Sequence, residues 1–157
     1  MNERDVCRAV LLTPEAEVLL IRIRESTTGW TAWITPGGGV RPGESPEDTL
    51  RRELFEETGL TEFEAGPRLW HRDHSSTWEG RPFRQIETFY LVRTPRFEPT
   101  LAHQPEAVEL RAFREFRWWP VEEIATSTDI FVPLRLGEYL KDLLANGVPA
   151  RPFDAGV

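Results

Sequence analysis

With 157 residues, 39% apolar and 29% charged, the chain is sized for a single soluble domain, residues 1–157, around one core. A net charge of −7 leaves no basic stripe for a nucleic-acid backbone, so no nucleic-acid partner is expected. Cys7 is the only cysteine, which excludes an internal disulfide and a paired-cysteine metal site. No apolar run approaches the ~18 residues of a membrane span. The charged start Met-Asn-Glu-Arg-Asp lacks the apolar core of a signal peptide, so no membrane association and a cytoplasmic location are expected.

In chain order, Val6 to Thr13 and Val18 to Ile23 read as strands around the turn Pro14-Glu15-Ala16-Glu17. Cys7, inside the first of these, reads as an inert buried thiol. Residues 25–31 are polar and form a loop; Trp33 to Pro36 is a brief extended segment feeding Gly37-Gly38-Gly39. A helix follows, with Ser45 as cap, Pro46 in its first turn, Leu50 and Leu54 facing the core, and Gly59 as its left-handed stop. Residues 66–72 and 82–93 read as strands, with Trp78-Glu79-Gly80-Arg81 as a hairpin tip. Residues 95–108 form a loop, and Phe113 to Trp119 a strand. Pro120 opens a short helix, and Val132 to Ala145 is a longer one ending near Gly147. The tail from Pro149 is extended. Strands followed by a helix, then strands and helices, predict an α/β fold, a mixed central sheet with helices on both faces.

The helix at 45–59 carries the chemistry. Glu53, Glu56 and Glu57 stand at i, i+3 and i+4 on one face, about one 5.4 Å turn apart. Glu56 and Glu57 also fall in the last turn, where the helix dipole disfavours negative charge. Arg52 precedes Glu56, the weaker orientation for an ion pair at this spacing. A hard cation relieves such crowding, because Mg²⁺ is held by one or two carboxylates together with substrate phosphates.

The full stretch is Gly38-x5-Glu44-x7-Arg52-Glu53-Leu54-x-Glu56-Glu57-x-Gly59-Leu60, and it resembles the Nudix box of the Nudix hydrolases at every specified position of residues 38–60. The likeness extends more loosely to Trp33–Gly39 before it and Arg117–Ile124 after it. This resemblance implies the Nudix fold, an α/β/α sandwich, and hydrolysis of a nucleoside diphosphate linked to another moiety, a small-molecule nucleotide. It implies Mg²⁺, with Mn²⁺ as substitute, held by Glu53, Glu56 and Glu57 with a backbone carbonyl of Gly37 or Gly38. Arg52 would orient and screen the glutamates, and Glu44 would reach metal through water. The general base would be Glu53 or a later loop glutamate, Glu106 or Glu109, with Glu109 the foremost of the later pair. Homodimers are common in the family.

Other side chains read more plainly. His71, His74 and His103 lack zinc spacing and read as structural or exposed. Trp33 with Trp118 or Trp119 packs the sheet, whereas Trp30 and Trp78 are candidates for a nucleobase platform. Arg22, Arg24, Arg81 and Arg84 are candidates for phosphate contact. Family markers for ADP-ribose (a proline after the box) and for dinucleoside polyphosphates (a tyrosine) are missing where His74-Ser75-Ser76 and Thr77-Trp78 stand. Nucleoside triphosphates therefore lead, with dinucleoside polyphosphates, ADP-ribose and nucleotide sugars behind them. A nucleotide-binding sensor without turnover is the alternative of a different class.

Overall fold

The computed structural model describes residues 2–104 and 113–157. Its strands are β1 (Asn2–Leu12), β2 (Glu17–Arg24), β3 (Thr31–Ile34), β4 (Gly37–Gly39), β5 (Arg68–Trp78), β6 (Arg81–Arg93), β7 (Phe113–Pro120), β8 (Phe131–Val132) and β9 (Phe153–Asp154). The helices among the described residues are α1 (Pro46–Thr58), α2 (Val121–Thr126) and α3 (Leu136–Asn146). All strands join one mixed sheet ordered β8-β3-β2-β1-β6-β5-β9, with β4 added on β1 and β7 on β2.

The central strand β1 pairs in parallel with β6 along its whole length, from Asn2↔Phe83 to Leu12↔Arg93. It meets β2 only at Leu12↔Val18. Beyond that pair the two strands part. β4 takes the freed edge of β1 at Val6–Arg8, while β2 runs antiparallel to β7 and β3. The sheet thus opens into two halves, and the glycine strand lines the opening.

Alternation along β1 sends successive side chains to opposite faces. Val10 and Leu12 join Val18, Leu20, Trp70 and Phe89 beneath α2 and α3. Cys7, Ala9 and Leu11 join Leu19 and Val92 beneath Leu50 and Leu54 of α1. Helices therefore cover both faces, as the element order predicts. Leu50 and Leu54 are fully buried, and each contributes about 1.5–3 kcal/mol of apolar burial.

Local signals set α1 residue by residue. Ser45 Oγ accepts from the Asp48 N–H at 3.1 Å, Asp48 answers by accepting from the Ser45 N–H, and Pro46 occupies the first turn. Gly59 closes the helix in the left-handed region, at φ 81°.

Several boundaries differ from the sequence reading. β1 starts at Asn2 rather than Val6, because β6 offers it a partner through Phe83 and Arg84. β5 runs on to Trp78, joined to β6 by a two-residue turn with positive φ at both Glu79 and Gly80, the geometry a tight hairpin needs. The last helix starts at Leu136, not Val132. Val132 pairs with Ile34, and the residue before a proline is pushed to extended backbone. Gly37–Gly39, fed by the extended segment before them, form a short strand of their own. Trp33, Trp118 and Trp119 are all buried, as is Cys7, whose thiol burial pushes up to about 11.

Candidate active site

The site lies where the C-terminal half of α1 faces β4. Arg52 is its hub. Its Nε and Nη2 donate to the two oxygens of Glu44 at 2.7 and 2.9 Å, a bidentate pair, and Nη2 also donates to the Gly39 carbonyl at 2.8 Å. Nη1 donates to Glu53 Oε1 at 2.7 Å and lies 3.5 Å from Glu56 Oε2. One nitrogen thus sits between two carboxylates, which converge on a common point. Hydrogen bonds from Arg52, then from the Arg41 N–H, hold the Glu44 carboxyl down to about 2. Glu44 also accepts from Thr49 Oγ1 at 3.0 Å. Its oxygens accept from Arg52, Arg41 and Thr49, so Glu44 anchors Arg52.

Glu57 turns inward. It is 6% exposed, and its Oε2 accepts the Gly37 N–H at 3.0 Å. The Gly37 carbonyl lies 3.4 Å from Arg8 Nη1 on its other side, so the glycine strand is gripped from both sides. Gly38 has no room for a side chain, because a Cβ there would overlap the Glu53 carboxyl group. Glu53 and Glu57 are therefore brought against the glycines that precede them, while Glu56 joins the group through Arg52. Glu106 and Glu109 lie outside the described residues.

The donor set of Glu53, Glu56 and Glu57 with the carbonyls of Gly37 and Gly38 is hard oxygen throughout, the set that suits Mg²⁺ or Mn²⁺. Among the described residues no three carboxylate, imidazole or thiol groups already converge as a finished metal cage. Glu53 and Glu56 lean instead on Arg52, and Glu57 on Gly37.

A second charged cluster adjoins the first and was not singled out from sequence. Glu87 on β6 accepts from Arg8 Nε at 2.8 Å and from Arg72 Nη1 at 2.5 Å, and Arg72 Nε donates to the Gly156 carbonyl at 2.9 Å. Burial alone would raise the Glu87 carboxyl, but the two guanidiniums outweigh it and hold it below the ordinary range. Arg4, one turn of the pleat away, lies against Gly39 and the amide of Gln85. Burial and neighbouring Arg8 lower its pKa. The one hint in the sequence is a charged Arg8 inside the apolar run Val6 to Leu12.

Other candidates fall elsewhere. Arg84 pairs with Asp73 and Glu3 on the surface, and Arg22 with Glu115 at 3.5 Å. His103 stacks on Phe55, His74 meets Phe83, and neither joins a metal cluster. Trp30 and Trp78 are brought into contact with each other.

Residues 3–140 match the family model of the NUDIX domain. The chain belongs to the NUDIX domain family. It is 30% identical over 129 residues to the RNA pyrophosphohydrolase of Yersinia enterocolitica, covering 74% of this chain and 71% of that protein. Likeness to the RNA pyrophosphohydrolase of Proteus mirabilis is 31% over 110 residues, 62% of each chain, so the match spans less than two thirds of that relative. In fold, the NUDIX chain is similar to the MutT protein of Methanosarcina mazei, with a TM-score of 0.67 and 20% identity over 92% of this chain and 94% of that one. Members of this family are generally dependent on a divalent metal. No helix among the described residues is long and apolar enough to cross a membrane.

Proposed function

We propose that this NUDIX chain hydrolyses a phosphoanhydride bond in a nucleoside diphosphate joined to another moiety, with nucleoside triphosphates foremost, using Mg²⁺ or Mn²⁺ in the cytoplasm. The observation that carries the reading is the convergence of Glu53 and Glu56 on one Arg52 nitrogen beside a glycine strand that Glu57 holds. Three carboxylates around one guanidinium leave a surplus of negative charge that a cation balances.

The divalent cation, when bound, would neutralise charge developing on the transferring phosphoryl group and help align it. Glu53, Glu56 and Glu57 would hold it, with a carbonyl of Gly37 or Gly38. Glu57 is fastened in advance by the Gly37 N–H, so its orientation needs little further ordering. Arg52 positions the set: pinned by Glu44, it draws Glu53 and Glu56 toward one fixed point. Glu53 would also accept the proton of the attacking water, with Glu109 as the other base candidate. The absent side chain at Gly38 lets the Glu53 carboxyl group lie against backbone.

A second reading is favoured by the relatives named RNA pyrophosphohydrolase, in which a 5′-triphosphorylated RNA end takes the place of the free nucleotide. One panel separates these. Purified protein is incubated with Mg²⁺ or Mn²⁺ and nucleoside triphosphates, ADP-ribose, dinucleoside polyphosphates, nucleotide sugars or 5′-triphosphorylated RNA, and the products are identified by chromatography. Metal-dependent cleavage of a nucleoside triphosphate is the expected result. Tight binding of one compound with cleavage of none would replace the hydrolase with a sensor.

A further inference from the structure

On the sheet face away from α1, the side chains of β1, β5 and β6 lie in layers. Trp70 and Phe89 belong to the core, and Arg72 and Glu87 form the next, still buried layer. Arg4 and Gln85 come after them. The register between β5 and β6 is unbroken from Trp70↔Phe89 to Trp78↔Arg81. Side chains two apart therefore keep to one face, and Trp78 at the hairpin tip shares the face of Arg72 and Arg4.

From the other half of the sheet, the loop between β2 and β3 brings Trp30 to Trp78. The rings meet edge to face, with centroids 6.5 Å apart at 84°. Ser26 Oγ of the same loop donates to Glu79 Oε1 at 2.6 Å, a second tie between loop and hairpin. The partners are 48 residues apart in sequence, yet the pair is not core: Trp30 is 41% exposed, against 7% or less for Trp33, Trp70, Trp118 and Trp119. A tight two-residue turn holds one indole, and hydrogen bonding holds the loop of the other. Together they make a rigid aromatic edge at the open end of the face that carries Arg4.

We propose that Trp30 and Trp78 form the platform on which the base of the nucleotide substrate stacks, a reading that rests on the hydrolase assignment. Val6 faces Gly39 on one side and Glu87 on the other, so Glu87 marks the level of the carboxylate site. Six residues along β6 separate Glu87 from Arg81, roughly 20 Å at ~3.3 Å per residue. Long side chains at both ends shorten that run to the reach of an extended nucleotide. Arg4 stands between the two ends, where phosphate charge would pass. Every base offers a π face, so such a platform binds nucleotides with little regard to base identity.

The test uses methylene-bridged ATP and GTP with Mg²⁺, followed by tryptophan fluorescence. Wild-type protein shows saturable quenching. Trp30→Phe and Trp78→Phe each lose part of the quench while keeping affinity within about threefold, because a ring remains. Trp30→Ala and Trp78→Ala weaken binding about tenfold. In turnover the alanine loss falls on KM rather than kcat, the mark of binding shared by ground and transition states. Wild-type affinity in both alanine variants, or no quench in wild type at millimolar analogue, overturns the proposal. If an alanine variant fails to fold, the phenylalanine pair decides by its quench. Quenching that the tryptophan variants lose, without hydrolysis of any nucleotide, keeps the platform and removes the hydrolase. Brisk hydrolysis with a KM indifferent to both tryptophans does the reverse.

Discussion

Two arginine–glutamate clusters flank Gly37, and they are unbalanced in opposite directions. On the α1 side Glu44, Glu53 and Glu56 surround Arg52, all partly exposed at 14–19%. On the other side Arg8 and Arg72 share Glu87, buried, with Arg4 close by. The first has carboxylate to spare and the second guanidinium to spare. A shortage of positive charge at an accessible place is relieved by a bound cation, whereas a buried pair must be settled within the protein because desolvation penalises any unpaired ion. The contrast supports the proposed chemistry at the first cluster and suits the second to bracing the glycine strand.

The largest expected effect breaks the buried cluster. Glu87→Gln leaves two guanidiniums without their carboxylate and should cost about 3–5 kcal/mol of stability, read as a lower urea midpoint. An unchanged midpoint would mean that the cluster is not a support. Next, Glu57→Gln keeps an acceptor for the Gly37 N–H but loses a charge. Turnover should fall about a hundredfold or more, about 2.7 kcal/mol, with the melting temperature nearly unchanged. Near-normal metal-dependent turnover in this variant would remove Glu57 from the proposed ligand set. Gly38→Ala sharpens the comparison, since its methyl group displaces the Glu53 carboxyl group. Turnover should drop about tenfold, in line with a small misplacement of a reacting group, while Gly39→Ala, on the Arg4 side, should do less.

The smallest effect is one of pH. The folded Glu44 carboxyl sits at about 2 against 4.5 for an ordinary glutamate, so the unfolded chain takes up its proton first. Its stabilisation is fully present above pH 4.5 and fades as pH falls toward 2. Glu44→Gln should flatten that part of the stability curve without touching the neutral region. An identical acid limb in variant and wild type would show that Glu44 does not contribute it.

The sequence exposed α1 well because its determinants are local. Ser45, Pro46, Asp48 and Gly59 act within a turn of where they stand, and the glutamate spacing follows from helical geometry alone. The hairpin at Glu79-Gly80 was legible for the same reason. What stayed hidden depends on distant partners. Arg8 and Glu87 are 79 positions apart, and only the parallel pairing of β1 with β6 makes them neighbours. The start of the last helix was misplaced because β3 claims Val132, a fact that lies in another strand. The forked pairing of Arg52 with Glu44 is likewise something that spacing along the chain does not reveal.

Of the strands in this sheet, β1 comes earliest in the chain and lies in the middle. Its long parallel partner ends at Arg93, so the strand that carries the glycine segment on its edge must wait for some eighty further residues before its neighbour leaves the ribosome. Until then an apolar strand with open edges has no permanent seat, the state most exposed to wrong pairing between nascent chains. Slowing translation before residue 93 should therefore raise aggregation, and slowing it afterwards should not.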